Sequence, residues 1–173
     1  ETYMHESGPP KSHWCARISQ NRSALARKNS RFLALEVAGS LIVEKGVKVA
    51  AHNELRVSVG GQVVLNGGLL ESARWVDIQA GGSLEGHGLI RAELFTKGNL
   101  SLSGKNPLVI DGNAHLSGEL KLSSIPSPKM DKSLTVIKAN LISGGFKNNE
   151  VLIGGKLFSI FYTPTSVTVK AKL

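Results

Sequence analysis

Few side chains in this 173-residue chain are equipped for acid–base, nucleophilic or metal chemistry, and their spacing is the first test of what the chain could do. Histidines stand at positions 5, 13, 52, 87 and 115. None has a partner at the i, i+4 spacing that puts two imidazoles on one helix face, and none sits beside a cysteine at zinc-site spacing. His13-Trp14-Cys15 could form a local thiol–imidazole pair, but nucleophilic catalysis also needs a third group to orient the base, so Cys15 reads as an ordinary packed or exposed thiol. Glu54, Glu71, Asp77, Glu85, Glu93 and Asp111 are spread along the chain, with no pair placed for glycoside hydrolysis and no acidic metal cluster beside a base for lyase chemistry. The sequence therefore assigns no catalytic residue, no metal and no cofactor. Binding is the better expectation. Trp75 offers an aromatic face on which a sugar ring can stack, with Arg74 next to it and Arg56 upstream, so Trp75, Arg74 and Arg56 form the candidate ligand-binding set. The plainer alternative packs Trp75 under a loop.

Composition says what kind of scaffold must hold these residues. The apolar content of 41% is ordinary for a folded domain, and its Leu, Val and Ile come in short runs, with no stretch long enough to span a bilayer as a helix. Nineteen glycines against five Phe, two Tyr and two Trp describe a chain punctuated by turns, which suggests repetition of a small unit. A lone cysteine excludes an intrachain disulfide. The net charge of +8 would suit a polyanion, but Lys11, Arg17, Arg22, Arg27, Lys28 and Arg31 crowd near the N-terminus and the other charges are scattered, as on a solvated surface. No nucleic-acid partner is expected. Residue 1 is Glu and no basic-then-apolar leader opens the chain, so an export signal is expected to have been removed or to lie on a longer precursor.

Aligned on its glycines, the chain repeats. Residues 33–39 (LALEVAG), 55–61 (LRVSVGG) and 76–82 (VDIQAGG) superpose without gaps, their last glycines 22 and 21 residues apart, and each alternates apolar with polar residues at the period of a strand buried on one face. Stacking predicts inward columns Leu33/Leu55/Val76, Leu35/Val57/Ile78 and Val37/Val59/Ala80. It makes Arg56 and Asp77 neighbours outside. A second strand follows each turn, at residues 41–43, 62–65 and 83–84, and two shorter coils follow around Gly98 and Gly112. These features predict an all-β fold: a short right-handed parallel β-helix (β-solenoid) whose coils are stable only collectively. Residues 33–122 form the coils. Residues 1–32 are expected to be a basic cap or linker, irregular or helical over 19–28, with Gly8-Pro9-Pro10 as punctuation. Residues 123–173 are expected to be a strand-rich cap with runs at 134–137, 156–162 and 166–169, after the break at 123–128.

The order of residues 112–120 (GNAHLSGEL), 134–139 (LTVIKA), 142–146 (ISGGF), 158–162 (FSIFY) and 166–169 (SVTV) resembles the C-terminal β-solenoid repeat region of autotransporter passenger-type and other large secreted bacterial proteins. Residues 81–90 (GGSLEGHGLI) are similar to the turn-rich coil that often precedes it. The resemblance implies a secreted or cell-surface bacterial module and carries no catalytic residues. The sequons at Asn21 and Asn99 mean little in such a protein. Two functions are expected, in order: a noncatalytic extracellular scaffold or polysaccharide-contacting accessory domain, or a fragment or subunit of a carbohydrate-active enzyme (glycoside hydrolase or polysaccharide lyase) whose catalytic residues lie on another segment, on an upstream domain or across an interface with the basic N-terminal segment. A self-assembling filament subunit ranks third.

Overall fold

Seventeen strands and no helix make up the described part of the chain, which in the computed structural model comprises residues 2–3, 15–123 and 133–171. The strands hydrogen-bond into one continuous sheet wound as a parallel β-solenoid of about five turns, the architecture that the repeat implies. Each turn has three faces. Face A stacks Cys15–Ile18, Ala34–Val37 and Glu54–Val57, followed by residues 75–78, 93–96, 113–116 and 141–144. Face B stacks Ser23–Ala26, Ser40–Glu44, residues 62–67 and 83–87, Asn99–Ser103 and Glu119–Ser123. Face C stacks Ser30–Phe32, Lys48–Ala51 and residues 69–72, 89–91, 108–110 and 137–139.

Alternation along each strand sends every second side chain to the axis. Face A contributes Leu35, Leu55, Val76 and Leu94, face B contributes Leu41, Val63, Leu84 and Leu100, and face C contributes Val49, Leu70, Ile90 and Ile110, all buried. Burying such a side chain stabilises by about 1.5–3 kcal/mol. Each is covered mainly by its equivalents one coil above and below, so removing a coil exposes its neighbours. Outside, Lys48, Glu71, Arg91 and Asp111 form an alternating ion-pair ladder on face C, with contacts of 3.4, 3.3 and 3.3 Å.

The register differs from the glycine alignment in one instructive way. Leu35 pairs with Leu55 and Val37 with Val57, two residues away from the expected Leu33/Leu55 and Leu35/Val57. The next step, Leu55 to Val76 and Arg56 to Asp77, is as expected. The cause is the corner between faces A and B. It holds only Ala38 and Gly39 in one coil but residues 58–61 in the next, so Gly39 stays in line with Gly61 on face B while the preceding strands slide by two. The two extra residues bulge outward, and Val59 is 63% exposed instead of filling a third inward column. Likewise Gly98 stacks under Gly118, whose neighbour Glu119 donates its amide to the Gly98 carbonyl, whereas Gly112 turns the corner from face C to face A.

Upstream of Leu33, where a cap or helix is expected over residues 19–28, the chain already forms a coil. Cys15–Ile18 and Ser23–Ala26 are strands paired with Ala34–Val37 and Ser40–Glu44. Between them lies a turn closed by Arg22 N–H donating to Ser19 O (3.1 Å), with Asn21 at φ 60°. Alanines read locally as helix formers. Here Ala24 and Ala26 are buried at period two, and stacking on Leu41 and Val43 overrides the local preference. Gly8-Pro9-Pro10 lies outside the described residues.

At the other end the expected strand-rich cap is present. Ser133–Gly144 pairs in parallel with Leu108–Leu116 and antiparallel with Ser166–Ala171, and Glu150–Ile153, Lys156–Tyr162 and Ser166–Ala171 form an antiparallel meander. Phe158 and Phe146 supply bulk that the Leu/Val columns lack. Tyr162 Oη accepts a hydrogen bond from the Phe146 amide at 2.9 Å. Burial raises the Tyr162 phenol above its ordinary pKa of 10.0, and the Phe146 hydrogen bond opposes the rise. The unfolded chain thus loses this proton first as pH rises. The resulting stability is fully present below the ordinary value and is lost as pH climbs through the folded one. Urea midpoints measured above pH 10 should therefore fall less steeply for Tyr162→Phe than for the parent. Parallel slopes would show that this phenol is not the group responsible.

Candidate functional site

Trp75 is outward-facing, as parity with buried Val76 requires, and its Cα lies between those of Glu54 and Glu93 in the face A ladder. The Arg74 guanidinium stands over its ring, 5.5 Å from the centroid, in cation–π geometry. Arg56 reaches the same face one coil earlier, opposite Asp77 as the register implies, but its ion pair is with Glu54 on its own strand (3.2 Å). The Arg56 Nε is buried without a partner. The structure thus joins Arg74 to Trp75 directly and ties Arg56 to the carboxylate beside them.

A groove of about 430 Å³ opens at the corner between faces C and A. Successive coils line it with Ser72, Ala73 and Arg74, then Arg91, Ala92 and Glu93, then Asp111, Gly112 and Asn113, with Asn140 beyond. It therefore runs along the solenoid axis, meeting a new set of side chains about every 4.8 Å. Small residues at the corner make room for it. Gly112 cannot carry a side chain, because a Cβ would collide with the Ala92 carbonyl. Arg91 is held by Glu71 and Asp111, whereas Arg74 has no carboxylate within ion-pairing distance among the described residues. The groove therefore presents the Arg74 guanidinium, stacked on an indole, among the carboxylates of Glu93 and Asp111 and the carboxamides of Asn113 and Asn140.

Beyond Trp75 on face A lies a cluster that spacing rules did not find. Phe95, His115 and Ser143 occupy the same outward column in three successive coils. The Phe95 and His115 rings stack at 4.5 Å with an interplanar angle of 11°. His115 Nε2 lies 2.7 Å from Glu93 Oε1, and His115 Nδ1 lies 2.6 Å from Ser143 Oγ. With Glu93 ionised and the imidazole neutral, Nε2–H donates to the carboxylate and Nδ1 accepts the Ser143 proton, a nucleophile–base–carboxylate relay. Glu93 and His115 are 22 residues apart, one local turn of 20 plus the two residues that return a side chain to the same side of a strand. Ser143 follows His115 by 28 residues, which the period does not give.

Among the described residues no group of three or more His, Cys, Asp or Glu is arranged to hold a metal ion. Cys15 is exposed, and His13 and Trp14 lie outside the described residues. No helix of the described chain is long and apolar enough to cross a membrane. No protein-family model, curated protein or solved structure matches this chain.

Proposed function

We propose that this chain is an extracellular β-solenoid module, a structural scaffold that contacts polysaccharide along the corner groove and acts as an accessory to a larger secreted or cell-surface bacterial protein. The groove carries the reading: it is extended, parallel to the solenoid axis and lined by hydrogen-bonding groups, with the Arg74–Trp75 pair at its side. A linear glycan suits that shape, because each sugar meets the next coil as the chain advances. Binding of this kind needs no bond-making step. The bacterial, autotransporter passenger-like origin rests on the sequence of the C-terminal coil and cap.

Trp75→Ala is expected to weaken binding to a responsive polysaccharide by roughly tenfold, the equivalent of about 1.4 kcal/mol. Titrations of neutral and acidic polysaccharides at several salt concentrations would measure it, with Arg74→Ala alongside. Binding that depends on Arg74 and weakens with salt would identify an acidic sugar. Affinity unchanged by either substitution would remove the groove from consideration. A second reading, membership of a carbohydrate-active enzyme, draws on the Glu93–His115–Ser143 relay.

A further inference from the structure

We propose that Ser143 is an acyl-accepting nucleophile with His115 as its general base and Glu93 as the positioning residue, acting on small O-acyl esters. Three observations carry this. Ser143 is exposed at the outer surface, so an ester carbonyl can approach its Oγ. Its Oγ is 2.6 Å from His115 Nδ1, within reach for proton transfer. The imidazole is held twice, in its plane by the Phe95 stack and at Nε2 by Glu93 Oε1, 2.7 Å away. Solvent-exposed serines on strand surfaces ordinarily have neither constraint, and pre-orientation of the base is what distinguishes a reactive hydroxyl.

The chemistry balances with water as the only co-reactant. Ser143 Oγ forms a bond to the acyl carbon as its proton passes to His115 Nδ1, and the Glu93 carboxylate stabilises the imidazolium. Collapse breaks the bond from the acyl carbon to the alkoxy oxygen, and the leaving alcohol takes the proton from Nδ1. Water, deprotonated by the same nitrogen, then attacks the acyl–serine ester, releasing the carboxylic acid and returning the proton to Oγ. Asn113, outward-facing two residues before His115, and Asn140 provide uncharged N–H donors on the groove wall that Glu93 shares. Leu141, 50% exposed and two residues from Ser143, offers apolar contact for a short acyl chain. Because Glu93 lines the groove, the alcohol part of the ester is assigned to a sugar hydroxyl; that assignment alone rests on the polysaccharide reading.

The test uses the full chain with p-nitrophenyl acetate and a fluorophosphonate probe. One phosphonyl adduct is expected, mapped to Ser143 by peptide mass, and it should vanish in Ser143→Ala, whose thermal midpoint should match the parent because the hydroxyl is exposed. Ester hydrolysis should fall at least about a hundredfold in Ser143→Ala and His115→Gln. Glu93→Gln should lower kcat while leaving KM for the acetate ester unchanged, a split that a merely structural contact would not produce. A folded parent chain that takes up no probe, or that hydrolyses the ester no faster than Ser143→Ala, overturns the proposal. An O-acetylated polysaccharide assayed in parallel separates the two readings. Hydrolysis of the small ester without polysaccharide binding leaves the relay standing and removes the glycan, whereas binding without hydrolysis does the reverse.

Discussion

Gly118→Ala is expected to destabilise the solenoid by about 3 kcal/mol, at the upper end of the cost of forcing extra atoms into a packed site. Gly118 belongs to a column at the corner between faces A and B that also holds Gly39, Gly61, Gly82 and Gly98. Each carbonyl in that column receives the next coil's backbone amide: Gln62 N–H donates to Gly39 O, Ser83 N–H to Gly61 O, Asn99 N–H to Gly82 O and Glu119 N–H to Gly98 O. A Cβ on Gly118 would lie deep inside contact distance of the Gly98 carbonyl oxygen and carbon. The obstacle is backbone, not a side chain that can rotate away, so relief requires opening the coil spacing and the Glu119 hydrogen bond. Gly46 is the matched control. It has φ 79° and nothing within 4 Å of a Cβ, so Gly46→Ala meets only the left-handed conformational penalty, roughly 1–2 kcal/mol. Urea unfolding of the two variants should separate them by at least about 1 kcal/mol in that order. Equal midpoints would mean that the coils part at the corner without cost.

That glycine column is also the feature the sequence announced most clearly, and its limits mark where inference from sequence stopped. Spacing of Gly39, Gly61 and Gly82 at 22 and 21 residues, with apolar residues alternating before them, was enough for the all-β solenoid and for the inward parity of Leu35, Leu55 and Val76. The glycines hold their own register, but the strand before Gly39 does not, because corner length is a free variable. Nothing in residues 58–61 announces that two of them bulge. Charges suffered similarly. Lys48, Glu71, Arg91 and Asp111 look scattered, yet their separations of 23, 20 and 20 residues are each about one turn, and only the register turns them into a ladder. Trp75 was legible as outward because parity needs no register, whereas its neighbour Arg74 and the groove arise at a corner that alternation does not describe. Ser143 was beyond reach, since its separation of 28 residues from His115 exceeds the common period.

Closing a solenoid requires partners for the strand that has no coil above it, and Asn148 meets that need with a side chain. Its Oδ1 accepts the Leu120 amide at 2.9 Å, and its Nδ2 donates to the Leu120 carbonyl at 2.8 Å and to the Glu150 carbonyl at 3.0 Å. A carboxamide thus reproduces the donor–acceptor pair that another strand would offer to face B, and Lys147 N–H extends the pairing to Gly118 O at 2.8 Å. Leu120 is only 1% exposed, so these groups lack ready access to water. Asn148→Ala should therefore cost about 2–4 kcal/mol, from two backbone groups each left unsatisfied at about 1–3 kcal/mol and partly relieved by relaxation. Asn148→Asp retains the acceptor but replaces the donor with a charge aimed at the Leu120 and Glu150 carbonyls. Its destabilisation should diminish as pH falls and the carboxyl acquires a proton, because the protonated form can donate again. Amide exchange locates the effect: the Leu120 N–H should lose protection in Asn148→Ala while that of Leu100, one coil inward, is retained. Unchanged protection at Leu120 would mean that the antiparallel cap alone closes the stack. Loss of protection together with concentration-dependent association would show the opposite, a face B edge left open for another chain to pair with once Asn148 no longer occupies it.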